Sequence, residues 1–190
     1  MKRLLILEIL LVVSLIGLMI VGCNTPASVC GDQACGTDEQ TASTCLSDCL
    51  ASYTGKVILV NPSAVSIANG NDVTLEVKVA NVENLVGFQF DVTYDPRVLE
   101  FVGAYEGTLL NSDGQSTFCM NGTAESGYVK NILCIRFGST GIAGNGVLEQ
   151  LAFKGIAIGE SDVILSNVKI VDSSTNEIPV ANSKGTVVVK

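Results

Sequence analysis

The sequence predicts an all-β sandwich, and three observations carry that reading. From about residue 56 onward apolar and polar residues alternate in short runs, Gly, Asn, Asp and Ser punctuate the runs, and no stretch keeps a helical period with caps. A period of two places every second side chain on one face, which marks a strand with one buried side. Many such runs without helical crossovers argue for antiparallel sheets packed face to face.

The elements follow in order. After the turn Asn69-Gly70-Asn71-Asp72, the residues Val73, Leu75, Val77 and Val79 alternate with Thr74, Glu76, Lys78 and Ala80. Phe88, Phe90, Val92 and Tyr94 then alternate with Gly87, Gln89, Asp91 and Thr93. Asp95-Pro96 ends this run, because proline has no N–H to give a ladder. Further strands are read at residues 99–105, 115–120, 128–137, 147–156, 163–171 and 186–189, separated by turns such as Asn111-Ser112-Asp113-Gly114 and Gly144-Asn145-Gly146. Arg97-Val98-Leu99 is at most one helical turn, and no internal repeat is evident.

One hairpin can be read in register. A two-residue turn at Ser126-Gly127 places Cys119 opposite Cys134, Phe118 opposite Ile135 and Met120 opposite Leu133. One face then pairs apolar with apolar, and the other brings two cysteines together. This reading puts a Cys119–Cys134 disulfide on the outer face of the hairpin.

Composition narrows the function. The chain has 190 residues, room for one medium domain plus accessory segments at about 150 residues per domain. It is 47% hydrophobic and 16% charged, too apolar for a disordered chain. The net charge of -8 leaves no basic footprint for nucleic acid. The absence of His removes the usual general base and the commonest metal ligand. Paired carboxylates would have to carry any catalysis, yet Asp91, Asp95 and Glu100 have turn and surface roles as easier explanations. No catalytic residue, resident metal or cofactor is expected, and a binding or scaffold protein fits better than an enzyme.

Residues 1–22 read as an export signal. Lys2 and Arg3 precede a nearly unbroken apolar run from Leu4 to Val21, interrupted by Glu8 and Ser14. Ile20-Val21-Gly22-Cys23 resembles the lipobox of secreted lipoproteins, which implies that Cys23 becomes the lipidated first residue of the mature chain. An uncleaved membrane helix is the alternative, at a length that could just span a bilayer. Both place the remaining chain outside the cell, at the outer face of the membrane. Cleavage removes two cations and one carboxylate, so the net charge of -8 becomes -9.

Residues 23–54 form a Cys-rich linker. Cys30, Cys35, Cys45 and Cys49 fall within 20 residues that nearly lack apolar side chains, so a covalent or metallic staple must order them. Two disulfides are expected, with connectivity open. A zinc site would lack both His and any C-x2-C pair. The segment is similar to a short motif of some exported archaeal and bacterial proteins, with Cys30-Gly31-Asp32 early and Ser47-Asp48-Cys49 late. Asp32, Asp38, Glu39 and Asp48 read either as a solvated acidic spacer or as a collector of calcium.

Residues 55–190 resemble a cohesin domain. The resemblance rests on the Val-x-Leu-x-Val strand after its Asn-Gly-Asn turn, and on Val86 through Glu100 with its Tyr94-Asp95-Pro96-Arg97-Val98-Leu99-Glu100 segment. It rests also on Gly146-Val147-Leu148 opening a long strand, and on Lys184 to Val189 closing the domain. It implies a nine-stranded jelly-roll sandwich that docks a dockerin-bearing secreted protein. Any calcium would sit on that partner. The family's contact face implies outward positions at Gly87, Gln89 and Asp91 on one strand and Ile132, Cys134 and Arg136 on another. Many relatives carry Asn and Asp where Gly87 and Gln89 stand and an aliphatic residue where Cys134 stands, which implies a different partner. The acidic chain would favour a partner with some basic character. The alternatives are a carbohydrate-binding module on the same sandwich, for which a chain with no Trp offers few stacking platforms, and a structural envelope lipoprotein. Asn121-Gly122-Thr123 is an acceptor tripeptide for N-glycosylation.

Overall fold

A computed structural model describes residues 55–190. The expectations for residues 1–54, including lipidation of Cys23 and disulfides among Cys30, Cys35, Cys45 and Cys49, lie outside the described residues. Ten strands and no helix occupy the described chain. They are β1 (Val57–Asn61), β2 (Ala64–Ile67), β3 (Asp72–Thr93), β4 (Leu99–Glu106), β5 (Thr117–Glu125), β6 (Tyr128–Arg136), β7 (Ile142–Gly155), β8 (Gly159–Asp172), β9 (Ala181–Ser183) and β10 (Gly185–Val189).

Strand β3 organises the fold. Its first part pairs with β1 and β7, and its second part pairs with β6 and β8. Between the two parts Asn81 and Asn84 adopt left-handed backbone, at φ 57° and 58°. Asparagine tolerates that region better than other residues bearing a Cβ. The two alternating runs at 73–80 and 87–94 are therefore one strand serving both halves of the sandwich. β4 extends the first half through β7, and β5 extends the second through β6. The ribbons β2–β10 and β1–β9 are the parallel pairs.

The core lies where the two halves face. Leu75, Val77 and Val79 of β3 meet Phe88, Phe90 and Val92 of the same strand, together with Leu151, Phe153, Leu165 and Ile170. Phe88 and Phe90 stack with ring centroids 5.5 Å apart, and Phe153 takes the edges of Tyr94 and Phe101. Burying each aromatic contributes roughly 2–3 kcal/mol.

The β5–β6 hairpin has the register set by the Ser126-Gly127 turn. Cys119 pairs with Cys134, Phe118 with Ile135 and Met120 with Leu133. Its orientation is the reverse of the one expected. Phe88 lies opposite Cys134 and Phe90 opposite Ile132 in the β3–β6 ladder. Directly opposed residues project from the same side of a sheet, so Cys134 and Ile132 follow the two phenylalanines into the core, and both are fully buried. The disulfide between Cys119 and Cys134 is thus internal. Phe118, Met120 and Ile135, which the turn alone had placed inside, face solvent.

Because the bond closes a loop with a sequence separation of 15, the chain-entropy model gives it about 3 kcal/mol. Replacing both cysteines by Ala should lower the unfolding free energy by no more than that, read as a shift in the urea midpoint. Non-reducing peptide mapping should recover the 119–134 linkage, and a bond from Cys119 to any cysteine of 30–49 would contradict it.

Candidate functional site

The outer face of β5, β6, β3 and β8 is the candidate site. The ladders align two rows across it. One reads Phe118, Ile135, Gly87, Val171, and the next reads Met120, Leu133, Gln89, Lys169. Phe118, Met120 and Ile135 are 52%, 49% and 41% exposed. These eight positions hold one charge, the exposed ammonium of Lys169. The chain's acidic excess therefore does not describe this face, and the expected preference for a basic partner is not written into it. Gln89, Leu133, Ile135, Lys169 and Val171 rim a shallow open hollow of about 170 Å³.

Gly87 allows the rows to close up. A Cβ there would lie 2.9 Å from Ile135 Cγ2 and 3.0 Å from the Cys134 carbonyl oxygen. Ile135 lies over the bare backbone, which is why Gly87 is itself buried. Of the positions expected to point outward, Gly87 and Gln89 belong to this face. Ile132, Asp91 and Arg136 do not present free side chains to it.

Asp91 is 6% exposed and fully engaged. Its carboxylate accepts hydrogen bonds from the Tyr128 hydroxyl at 2.6 Å, the Asn131 N–H at 2.8 Å and Asn167 Nδ2 at 2.6 Å. The β3–β6 and β3–β8 registers both shift here, and Asn131 and Asn167 are left-handed at φ 58° and 50°. Asp91 therefore ties three strands at the level where their ladders slip. Burial pushes its carboxyl up, but the bonds from Tyr128, Asn131 and Asn167 outweigh burial and hold it below the ordinary value of 3.8.

Arg136 is the second corrected position. It pairs with Thr117 on the inward row, and its side chain is 1% exposed. The loop after β4 receives it: Nη1 donates to the Leu110 carbonyl at 3.3 Å and Nη2 to Asp113 Oδ2 at 2.7 Å. The hydrogen bond from Arg136 is the largest influence on Asp113 and holds its carboxyl below 3.8.

The same end of the sandwich holds Glu149. It lies directly opposite Glu106 across β4 and β7 and is 1% exposed, and its Oε1 has no hydrogen-bond partner. Glu106 is occupied by the Thr117 hydroxyl at 2.7 Å and Asn111 Nδ2 at 3.2 Å. Burial first, and the charge of Glu106 second, push the Glu149 carboxyl up to about 8. Glu106 also brings its carboxylate within 4.8 Å of the sulfurs of Cys119 and Cys134. Those sulfurs are bonded to each other, so this cluster is not a metal centre.

Among the described residues, an exposed apolar sheet face of this kind is a surface suited to binding another protein. The family then follows from comparison. The family model for the cohesin domain matches residues 58–189, and the chain belongs to the cohesin family. Similar solved structures include a non-cellulosomal cohesin from the hyperthermophilic archaeon Archaeoglobus fulgidus, at 23% identity and a TM-score of 0.56, covering 72% of this chain and 91% of that one. A type I cohesin–dockerin complex from Clostridium thermocellum is similar at 16% identity and a TM-score of 0.60, covering 72% and 99%. The sixth cohesin of Acetivibrio cellulolyticus scaffoldin B, in complex with a dockerin, is similar at 20% identity and a TM-score of 0.56, covering 72% and 100%. No curated protein matches the chain. Cohesin domains are non-enzymatic protein-binding modules that need no cofactor, generally extracellular or at the cell surface.

Sequence reasoning missed Phe118, Met120, Leu133 and Ile135 as site residues. The signal was present in β6, where Leu133 and Ile135 on one side alternate with Ile132 and Cys134 on the other. A strand apolar on both sides covers a core with one face and offers the other.

The buried acid generates a pH prediction. Glu149 titrates near 8 when folded and near 4.5 when unfolded, so its proton is held more tightly by the native state. Stability should be highest below about pH 4.5 as far as this group is concerned, fall as pH rises to about 8, and level off above. Each unit corresponds to about 1.4 kcal/mol, so the loss should be a few kcal/mol. Urea midpoints at pH 5, 7 and 8.5 should show this slope in the native sequence, and Glu149→Gln should flatten it.

Proposed function

We propose that this chain is a cell-surface cohesin, held by a lipid on Cys23, that docks a dockerin-bearing secreted protein through the outer face of β5, β6, β3 and β8. The observation that carries the reading is the exposed apolar group Phe118, Met120 and Ile135 on that face, in a family of protein-binding modules. Two similar cohesins are solved in complex with dockerins, which supports the same class of partner here. An interface of standard size, about 1,600 Å² in total, can be accommodated on one sheet face. The contact residues are Phe118, Met120, Leu133 and Ile135, with Gly87 keeping the rows close and Gln89 and Lys169 supplying polar anchors. The internal disulfide stiffens the β5–β6 hairpin from beneath, which lowers the ordering cost of association. Polysaccharide capture is a weaker fit, because the two rows offer few polar groups to hydroxyls.

The docking test uses the full chain and calcium-loaded dockerin modules from co-secreted proteins. Ile135→Asp should weaken binding by roughly 30-fold or more, since it removes a central apolar contact and sets an unpaired carboxylate in the interface. Gln89→Ala should cost much less. Arg136→Ala should lower stability, because it empties a buried site that binds Leu110 and Asp113. Binding that survives Ile135→Asp, or recovery of polysaccharide alone, would refute this assignment of the face.

The anchor is tested by mass. Protein taken from membranes should begin at a lipidated Cys23, and Cys23→Ala should yield soluble protein or an unprocessed precursor. An intact Met1 terminus would refute the lipoprotein reading and leave the membrane-helix alternative.

A further inference from the structure

Several side-chain amides of the described residues are committed. Asn61, Asn84, Asn111, Asn167, Asn176 and Asn182 each donate Nδ2 to a carboxylate, a hydroxyl or a carbonyl oxygen. Asn121 does not: it is exposed, and its amide makes no hydrogen bond. It opens the tripeptide Asn121-Gly122-Thr123, whose third residue is exposed as well. Gly122 is left-handed at φ 79° and faces Asn131, left-handed at φ 58°. The β5–β6 ladder is interrupted there, between the pairs Asn121–Ile132 and Thr123–Lys130. The acceptor amide and its threonine therefore stand at a local break rather than within a continuous run of paired residues.

The strand that carries them is an edge. β5 pairs with β6 alone, and Glu125 is its one charged residue. Phe118 and Met120 on this strand are about half exposed. A free edge with exposed large apolar residues, no Lys and no Pro invites pairing with another chain. Asn121 alternates with Met120 and lies opposite the inward-facing Ile132, so a group attached to it leaves the strand away from the two apolar rows.

We propose that Asn121 is an N-glycosylation site, and that its glycan caps the free edge of β5 without covering the docking face. The donor is an oligosaccharide linked to a lipid through phosphate or pyrophosphate. The Asn121 amide nitrogen attacks the anomeric carbon, the bond from that carbon to the phosphate oxygen breaks, the nitrogen loses one proton, and the lipid phosphate leaves. This proposal rests on the export reading above, because such donors act outside the cytoplasm.

The experiment takes the full chain from the membranes of its own organism, with surface exposure scored by protease shaving of intact cells. The peptide containing Asn121 should carry a glycan mass that is lost in Asn121→Gln and in Thr123→Ala and retained in Thr123→Ser. Because Asn121 makes no internal bond, Asn121→Gln should melt with the native sequence, bind dockerin unchanged, and show a several-fold larger self-associated fraction by light scattering. A surface-exposed protein with an unmodified Asn121 overturns this proposal and leaves the docking reading intact. An unmodified protein found only inside the cell overturns both this proposal and the surface-anchor reading. A glycan whose loss leaves self-association unchanged overturns the capping role.

Discussion

The register of β3 is the constraint on which the rest depends. This 22-residue strand pairs with β1 and β7 along its first part and with β6 and β8 along its second. Opposed residues share a face, so the inward placement of Phe88 and Phe90 decides what β6 and β8 bury. Cys134, Ile132 and Ile170 become core, while Leu133, Ile135 and Lys169 become surface. Slipping either neighbour by one residue would exchange the core row and the binding row at once. The fold and the site are therefore specified by the same ladder.

Two local devices keep that face usable. Gly87 leaves out the side chain that would collide with Ile135, so Ile135 lies close against the β3 backbone. Asp91 stops the register slips around it from spreading, by binding Tyr128, Asn131 and Asn167 at once. Charge-assisted bonds of this kind contribute about 1.5–3 kcal/mol each when they are protected from water. The result is a stiff platform, and stiffness limits what must be ordered when a partner arrives.

The end of the sandwich near β4 and β7 is built differently. Arg136 and Glu149 are buried there, and each keeps one atom, Arg136 Nε and Glu149 Oε1, without a partner. Glu149 keeps its proton over most of the physiological range, because ionising it beside Glu106 in a dry interior is unfavourable. Arg136 reaches Asp113 in the loop after β4. This end is accordingly polar where the centre is aromatic, and the Glu106 carboxylate there lies within 4.8 Å of the sulfurs that tie β5 to β6.

Much of this protein was legible in its sequence. Period-two runs and turn residues determined the all-β class, the Ser126-Gly127 turn determined the hairpin register, and the Tyr-Asp-Pro segment with its flanks pointed to the cohesin family. These are local properties, fixed by backbone geometry and short-range pairing. Which side of the hairpin is buried was not local. Both sides of β6 are apolar, so periodicity could not choose between them, and the turn fixes who faces whom without fixing which way they point. Only the docking of β6 against Phe88 and Phe90 decided it, sending the cysteines inward and Phe118, Met120 and Ile135 outward. The buried roles of Asp91, Arg136 and Glu149 were likewise tertiary, because a charged residue in an alternating strand reads as solvent-facing until distant groups such as Asn167, Leu110 and Asp113 close over it.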